Sequence, residues 1–427
     1  MNIVEIKLPL RGGEETVYLP SRNLLYVALP RLQSPPELSS EINRALDYPL
    51  GSDRLEKIVS PRKKIALLVD DITRPTPQKE ILPLIVERIL SVGVPVANIT
   101  IVIGLGTHRC LTPREISYRF GKEIFQRFLI IQSDYREKEK FISLGFTPQG
   151  TPITIRQEVY QADIKISIGN IVPHPIFGWS GGAKMIQPGV CGQETTEKTH
   201  LAAGMQEVKK ICGEVENPIR QEADLVTGRV GLDFIFNTVL DPQGRLLRAF
   251  AGDFIMAHRA GVKFAEAIYR PEIPALADAV ICSAYPTDID YWQGLKALVH
   301  ASLGVRPGRT IIFLIAAPEG LSGNAPEHGE TLKHWANKDI ATLKQAVEKE
   351  IIRDVIGAGV CMMHSQILSQ VRVICVSSGL NGEDKRALGF EEAVGIQEAL
   401  DKVFHYEGRD ARVGVIPYGG ETLVKYQ

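Results

Sequence analysis

The richest concentration of chemically active side chains lies in a glycine-rich segment that follows an apolar run. Residues 169–200, GNIVPHPIFGWSGGAKMIQPGVCGQETTEKTH, place His174, Lys184 and His200 among six glycines. Glycines let backbone N–H groups approach a ligand without a Cβ in the way, and α/β proteins bind ligands at the carboxyl ends of their strands. We therefore expect chemistry in this segment.

Each of these three side chains has more than one interpretation. His174 lies between two prolines, which restrict the backbone and fix the direction of the imidazole. Lys184 ends the run SGGAK, which resembles a phosphate cradle but lacks the P-loop spacing. Lys184 itself is interpreted as a phosphate contact, a Schiff-base nucleophile or an attachment point. His200 lies on a predicted helix, as a rigid metal ligand or as a capped or solvated residue.

Two further strand ends carry polar side chains. In the segment DDITRP (70–75), Arg74 could bind a carboxylate or phosphate, and an aspartate could bind ribose hydroxyls. The alternative is that the segment caps the next helix and places acids in its first turn. The segment GLGTHR (104–109) brings His108 to the same predicted crevice. Histidines on opposite sides of a substrate would move a proton on either face, which is the minimum for racemisation. The Cα–H of a 2-hydroxy acid is weakly acidic, so hydride removal by a redox cofactor is the easier route.

The elements that position these residues alternate between strands and helices. From residue 63 the order is strand, helix, strand and helix, which predicts parallel sheets. We predict an α/β fold of two α/β domains with mainly parallel sheets and an active-site cleft between them. The predicted domains are residues 1–270 for cofactor binding, a linker at 270–277, residues 278–404 as a C-terminal α/β domain, and a final strand within 405–427 that fits either domain.

Composition narrows the classes of partner. The 427 residues include 49 basic and 50 acidic side chains, a formal charge of −1, so no net field attracts nucleic acid. No apolar run reaches 18 residues and the start lacks a signal-peptide pattern, which predicts no membrane partner and a cytoplasmic protein. The six cysteines form no CxxC pair, and Cys191 within the glycine-rich segment is interpreted as a buried filler or a pocket residue.

The three motifs together resemble the nickel-pincer lactate racemase family over essentially the whole chain. The resemblance implies a racemase or epimerase of a 2-hydroxy acid, a small-molecule substrate, and other proteins that assemble the cofactor. The implied cofactor is nickel carried by pyridinium-3-thioamide-5-thiocarboxylic acid mononucleotide, bound covalently to a lysine. One histidine would take the hydroxyl proton while hydride moves to the pyridinium, and a second would return the proton on the other face.

Matching the motifs residue by residue implies a role for each candidate. The implied set is His108 and His174 as paired acid/base residues, Lys184 as the tether, His200 as the nickel ligand, Asp71, Thr73, Gly181 and Gly182 at the cofactor, and Arg74, Gln293 and Lys296 at the substrate. The last two match a Gln-x-x-Lys segment within YWQGLK, although a solvated helix lysine is the alternative for Lys296.

One departure concerns the substrate rather than the reaction. The family carries a tryptophan near the substrate late in the chain, and residues 357–363 contain none. Three other functions are weighed: a zinc hydrolase using the three histidines, a Schiff-base lyase using Lys184, and a non-catalytic nucleotide-binding protein.

Overall fold

The computed structural model describes residues 2–426 and contains two six-stranded sheets joined by helices. The strands are β1 (Ile3–Leu10), β2 (Gly13–Pro20), β3 (Leu24–Val27), β4 (Ile65–Asp70), β5 (Ile99–Gly104), β6 (Leu129–Gln132), β7 (Phe141–Phe146), β8 (Pro152–Arg156), β9 (Ile164–Asn170), β10 (Pro173–His174), β11 (Gly178–Trp179), β12 (Phe234–Leu240), β13 (Leu246–Gly252), β14 (Ala277–Ser283), β15 (Val305–Leu314), β16 (Arg372–Val376), β17 (Glu391–Glu392) and β18 (Val413–Ile416).

The helices pack on the faces of these sheets. They are α1 (Leu38–Asp47), α2 (Leu55–Ile58), α3 (Gln78–Ser91), α4 (Pro113–Phe120), α5 (Lys122–Arg127), α6 (Gln157–Tyr160), α7 (Gln193–Gly204), α8 (Val208–Ile211), α9 (Pro218–Val230), α10 (Met256–Tyr269), α11 (Tyr291–Ser302), α12 (Gly329–Trp335), α13 (Ile340–Glu348), α14 (Val355–Leu368), α15 (Gly382–Ala387) and α16 (Ile396–Glu407). The predicted α/β fold with mainly parallel sheets is confirmed, because only the β12–β13 pair in the two large sheets is antiparallel.

The first large sheet has the order β13-β12-β9-β4-β5-β6. The chain moves outward from β4 through β5 to β6 and then returns to the other side of β4 as β9. The loops after β4 and β9 therefore diverge, which opens a crevice at the carboxyl ends of these strands. All residues of β4 and β9 are buried, and the apolar run of β4 is typical of a parallel strand that is covered on both faces.

The second large sheet has the order β17-β16-β15-β14-β18-β3, with every pair parallel. Its switch point lies beside β14, whose carboxyl end leads to α11. The final strand β18 pairs with β14 and with β3. The sequence pattern predicts that this strand fits either domain, and it lies in the sheet of the C-terminal domain.

The start of the chain contributes to the second sheet. Residues 3–27 lie within the predicted first domain, and β3 among them is an edge strand of the second sheet. The β1–β2 hairpin also buries Ile6, Leu8, Val17 and Leu19 against that sheet. Because the strand partners are nearly 390 residues away in the sequence, local pattern could not reveal this arrangement.

Residues 329–348 of the second domain form two helices, α12 and α13, because Asp339 caps a new helix with its side chain. Helix α14 was not predicted, because it is buried on nearly all sides and its sequence lacks an amphipathic period. Thr112 and Glu115 form a capping box at the start of α4.

Across residues 2–426, no helix combines the length and apolar character that crossing a membrane requires.

Candidate active site

A cavity of about 1000 Å³ lies between the two sheets, at the crevice beside β4 and β9. One wall consists of the loops after β4, β5 and β9 together with α7. The opposite wall consists of α11 and α14 from the second domain. The predicted cleft between domains is therefore present, and it collects the ends of the strands that carry the motifs.

His108 lies in this cavity with both ring nitrogens engaged. Its Nδ1 is hydrogen-bonded to Asp71 Oδ2, and its Nε2 lies 2.7 Å from Gln293 Nε2. The carboxylate can only accept at neutral pH, so Nδ1 carries the hydrogen and Nε2 accepts from the Gln293 amide. The Nε2 lone pair is thus directed across the domain boundary into the cleft.

The electrostatics of this pair favour a neutral imidazole beside an ionised carboxylate. Burial raises the pKa of Asp71, but His108 and Arg74 outweigh that effect and hold the pKa well below its usual range. Burial lowers the pKa of His108 below 6.5, and Asp71 opposes this change. An unprotonated His108 held by a carboxylate has the form of a general base.

His174 lies in the same cavity in the opposite tautomer. Its Nδ1 accepts hydrogen bonds from the backbone N–H groups of Ile176, at 3.2 Å, and Phe177, at 3.4 Å. The ring hydrogen is therefore on Nε2. Burial lowers the pKa of His174 well below 6.5, and the positive charges of Lys184 and Lys296 add to that effect. Here the imidazole is a neutral hydrogen-bond donor.

Two cations and an amide lie beside these histidines. Arg74 Nη1 donates to Thr73 Oγ1 at 3.1 Å and approaches Gln293 Oε1 at 3.4 Å, while Lys296 Nζ donates to Gln293 Oε1. Burial, Arg74 and Lys184 lower the pKa of Lys296 well below its usual value. Within residues 2–426, neither Arg74 nor Lys296 has a direct carboxylate partner, so the cluster can receive an anion.

The glycine-rich segment places Lys184 on the floor of the cavity. Gly181 and Gly182 have φ of +77° and +56°, and the Gly182 N–H donates to Asn237 Oδ1 at 2.9 Å. A Cβ on Gly182 would lie 2.8 Å from the His258 ring, so only glycine fits. Arg220 is fully buried and bonds the carbonyls of residues 177, 179 and 181. The segment is therefore held rigidly.

Lys184 has no hydrogen-bond or carboxylate partner among residues 2–426; its Nζ lies 5.7 Å from the centroid of the Phe177 ring. Burial and the charge of Arg74 lower its pKa well below the usual value. A lowered pKa favours the unprotonated amine, which is the form that acts as a nucleophile in covalent attachment.

His200 enters the cavity from α7. Its Nδ1 donates to Thr196 O at 2.9 Å, one helical turn earlier, so Nε2 keeps a lone pair. Burial lowers the pKa of His200 to about 4. A Cβ on Gly359 of α14 would lie 2.3 Å from the His200 carbonyl oxygen, so this glycine lets α14 cross α7 at close range. The neutral imidazole, fixed by a backbone hydrogen bond, has the form of a metal ligand.

Most of the residues singled out from the sequence converge on this cavity. Those that line it are Asp71, Arg74, His108, His174, Gly181, Lys184, His200, Gln293 and Lys296. Thr73 lines a second, adjoining cavity, where its backbone N–H and hydroxyl both bind Asp71. Gly182 lies behind the floor against His258 and is not part of the lining. Lys296 is not a solvated helix lysine.

Sequence reasoning missed the apolar wall. It consists of Trp292 from α11 with Val360 and Met363 from α14. The Trp292 ring stacks on His328 with centroids 4.3 Å apart, and His328 Nδ1 lies 3.0 Å from the Asp354 carboxylate. The only sequence signal for this apolar wall was the position of Trp292 directly before the Gln-x-x-Lys segment. Helix α14, which contains residues 357–363, therefore contributes no tryptophan to the cavity. The tryptophan in the cavity wall is Trp292 of α11.

The three histidines do not form a conventional zinc site. Over the described chain, residues 2–426, no three His, Cys, Asp or Glu side chains are grouped so that they could hold a metal ion.

Comparisons with known proteins agree over most of the chain. The description "Lactate racemase N-terminal domain" matches residues 11–212, and "Lactate racemase C-terminal domain" matches residues 274–424. The chain is 29% identical over 390 residues to the lactate racemase of Lactiplantibacillus plantarum and 28% identical over 391 residues to that of Thermoanaerobacterium thermosaccharolyticum. Each alignment covers 90% of both chains.

Solved structures give the same result. The lactate racemase apoprotein from Thermoanaerobacterium thermosaccharolyticum superimposes with a TM-score of 0.88 at 27% identity, covering 99% of this chain and 100% of that one. A crystal structure of a Thermotoga maritima protein shares the fold, with a TM-score of 0.73 at 18% identity and coverage of 93% and 100%.

Proposed function

This chain belongs to the lactate racemase family and is an isomerase, and from that premise we propose that it interconverts the stereoisomers of lactate or a related 2-hydroxy acid by hydride transfer. The observation that carries the proposal is the pair His108 and His174. Both are neutral, both line one cavity, and one presents a lone pair while the other presents an N–H.

The side chains at the floor of the cavity fit the nickel-pincer mononucleotide that the family implies. Lys184 offers an unpartnered amine for covalent attachment, and His200 offers an Nε2 lone pair to nickel. The absence of a three-residue ligand group is consistent with a metal whose other donors belong to the nucleotide. When bound, the group would supply a pyridinium ring that accepts and returns hydride.

His108 would remove the hydroxyl proton of the substrate. Its Nε2 lone pair is occupied by the Gln293 amide at 2.7 Å, so the hydroxyl would displace that hydrogen bond. Asp71 holds the ring in the reactive tautomer and stabilises the imidazolium that forms. His174 would donate from Nε2 to the substrate oxygen. To return a proton to the keto oxygen on the other face, His174 has to be an imidazolium that has taken a proton from solvent on Nδ1, so Nδ1 then gives up its hydrogen bonds from two backbone N–H groups. The proton taken by His108 leaves to solvent before the next turnover.

Arg74 and Lys296 would hold the carboxylate of the substrate. They are two partly buried cations that share Gln293 Oε1, so the amide fixes both cations and His108 in one network. A carboxylate bound there would restore the pKa of Lys296 toward its usual value, because an opposite charge favours the ammonium form. Substrate binding and the placement of the base are therefore coupled through Gln293.

We infer that the chain requires cofactor-assembly proteins, so the test uses the chain co-expressed with them. We place this maturation in the cytoplasm, since all six cysteines are unpaired. Conversion of L-lactate to the racemate, followed by chiral chromatography, should be abolished by His108→Ala and by His174→Ala. His334→Ala is the matched control, because His334 is 67% exposed on α12.

The outcomes separate the alternatives. Full activity in either active-site variant would refute the two-histidine mechanism. Intact mass spectrometry should show an adduct that Lys184→Ala lacks. The Schiff-base lyase would be supported instead if the chain contains no nickel and borohydride traps Lys184 on a carbonyl substrate.

A further inference from the structure

Asp290 is a buried carboxylate to which the reaction described above gives no role. It lies fully buried at the start of α11, the helix that carries Gln293 and Lys296 into the cavity. Its Oδ1 accepts from the Gln293 N–H at 2.9 Å, which caps the helix. Its Oδ2 accepts from the Asn324 N–H, also at 2.9 Å, in the loop 317–325. One side chain therefore joins α11 to a separate loop of the second domain.

The loop 317–325 crosses to the first domain directly beside His108. The Arg109 N–H donates to Asn324 O at 2.7 Å, and Arg109 Nη2 lies 3.5 Å from Glu319 Oε1. The loop is therefore a direct link between the second domain and the residue that follows the proposed base.

These contacts close a ring of hydrogen bonds that spans the cleft. The ring runs from Arg109 N–H to Asn324 O, from Asn324 N–H to Asp290, from Gln293 N–H to Asp290, and from Gln293 Nε2 to His108 Nε2 at 2.7 Å. A peptide bond between His108 and Arg109 completes it. Because the ring is closed, Asp290 fixes how the Gln293 amide approaches the His108 imidazole.

Helix capping alone does not account for a carboxylate at this position. Asp339 caps α13 of the same domain from the surface, where hydrogen bonds from Thr342 lower its pKa. Burial and the charge of Glu319 raise the pKa of Asp290 to about 7, although two N–H groups and Lys296 oppose them. A serine would cap α11 without the cost of burying an ionised group. What the carboxylate adds is a second acceptor atom.

We propose that Asp290 is a positioning residue of the reaction, which sets the approach of the second domain to His108 by binding α11 and the loop 317–325 at once. The first two N–H groups of α11 donate to the carbonyls of residues 320 and 321 and hold the middle of the loop. Within residues 2–426 the Asn324 side chain has no hydrogen-bond partner, so Asp290 holds the part of the loop that reaches the first domain. The inference rests on the proposed function, because Asp290 acts through His108.

Loss of this link should lower the rate rather than the affinity for substrate. The Asp290→Ser change keeps a cap on α11 but releases the Asn324 N–H, so the two walls of the cleft lose their fixed register. A displacement of about 1 Å at a reacting group costs about 100-fold in rate. Lys296 keeps its charge and its flexible side chain, so it still binds the substrate carboxylate. We expect kcat for lactate to fall by about 10–100-fold with little change in KM.

The experiment measures kcat and KM for lactate on the cofactor-loaded chain, at about pH 8.5, where Asp290 is ionised. Asp290→Asn accompanies Asp290→Ser, because asparagine has the same shape and accepts from only one of the two N–H groups. Asp339→Ser is the matched control, since it makes the same change at the cap of α13, on the surface. Circular dichroism compares the helix content of all forms.

A second measurement reports the position of His108 without catalysis. In the full chain without cofactor, labelled with ¹⁵N-histidine, Asp290→Ser should shift the His108 Nε2 resonance towards its value in Gln293→Leu. That reference variant lacks the amide that donates to this nitrogen. Asp339→Ser should leave the resonance unchanged.

The outcomes separate a positioning role from a structural one. A wild-type kcat, or an unmoved His108 resonance, in both Asp290 variants would overturn the proposal. Loss of helix content in both variants, in proportion to the lost activity, would also overturn it, because Asp290 would then be an ordinary cap. A loaded wild-type chain that racemises no 2-hydroxy acid, together with an Asp290-dependent His108 resonance, would refute the proposed function and keep the positioning role.

Discussion

Replacing Asp71 by asparagine tests the assignment of His108 as the base. The asparagine can keep the two hydrogen bonds from Thr73 through its oxygen, but it then presents an NH₂ group to His108 Nδ1. The imidazole would have to move its hydrogen to Nε2, where it would face the Gln293 amide at 2.7 Å. Gln293 cannot simply rotate its amide, because its oxygen is held by Lys296 and Arg74.

The size of the effect follows from the hydrogen bond that the reactive tautomer loses. Its Nδ1–H would face the NH₂ group of the new amide, and this single mismatch costs about 1–3 kcal/mol. With about 1.36 kcal/mol for each factor of ten, Asp71→Asn should lower kcat by about 5–150-fold. The assay is racemisation of lactate by the cofactor-loaded chain, with the exposed Asp410→Asn as control and the nickel content verified.

The pH profile distinguishes a lost base from a damaged site. Activity that needs unprotonated His108 rises with pH through the His108 pKa, which burial lowers below 6.5. Asp71 raises that pKa, so the rising limb of the Asp71→Asn variant should move to lower pH while its plateau stays low. A variant that reaches the wild-type plateau at any pH would refute the assignment.

Three further predictions follow from the buried cations and histidines. His200→Ala should reduce the nickel content measured by mass spectrometry to background while leaving the Lys184 adduct, and full nickel occupancy would contradict its role as ligand. Lys296→Met should raise KM for lactate by about 10–100-fold, the loss of one charge-assisted hydrogen bond, and an unchanged KM would place the carboxylate elsewhere. The pKa values of His300 and His364 are lowered to about 4 by burial, so the unfolded chain binds more protons between pH 6.5 and 4. Thermal stability should therefore fall as pH decreases through that range, whereas a Tm independent of pH would contradict it.

The strand ends of the first sheet were the most predictable part of the molecule. Continuous apolar runs such as that of β4 give way abruptly to polar residues, and parallel strands bring those residues to one edge. That reasoning placed Arg74, His108 and His174 together without any knowledge of the fold. The roles of Lys184 and His200 came from the resemblance, because spacing alone left several interpretations open.

The remaining features depend on contacts that no local pattern encodes. Asp290 joins α11 to the loop 317–325 only because that loop folds back onto the start of the helix. Trp292 forms a cavity wall only because α14 packs opposite it, and α14 itself carries no amphipathic signal. The tautomer of His174 depends on the direction of two backbone N–H groups, which the flanking prolines suggested but could not specify.

The pairing of β3 with β18 has a consequence for how the protein is made. Leu24 is aligned with Val413, so the edge of the second sheet joins segments from opposite ends of the polypeptide. The last strand of the first large sheet ends at residue 252, so all strands of that sheet are synthesised long before β18 leaves the ribosome. The wall that carries Gln293 and Lys296 belongs to the sheet that is completed last. The nascent chain therefore presents its glycine-rich segment as an open half-site, and the cleft closes over it only after translation has passed residue 416.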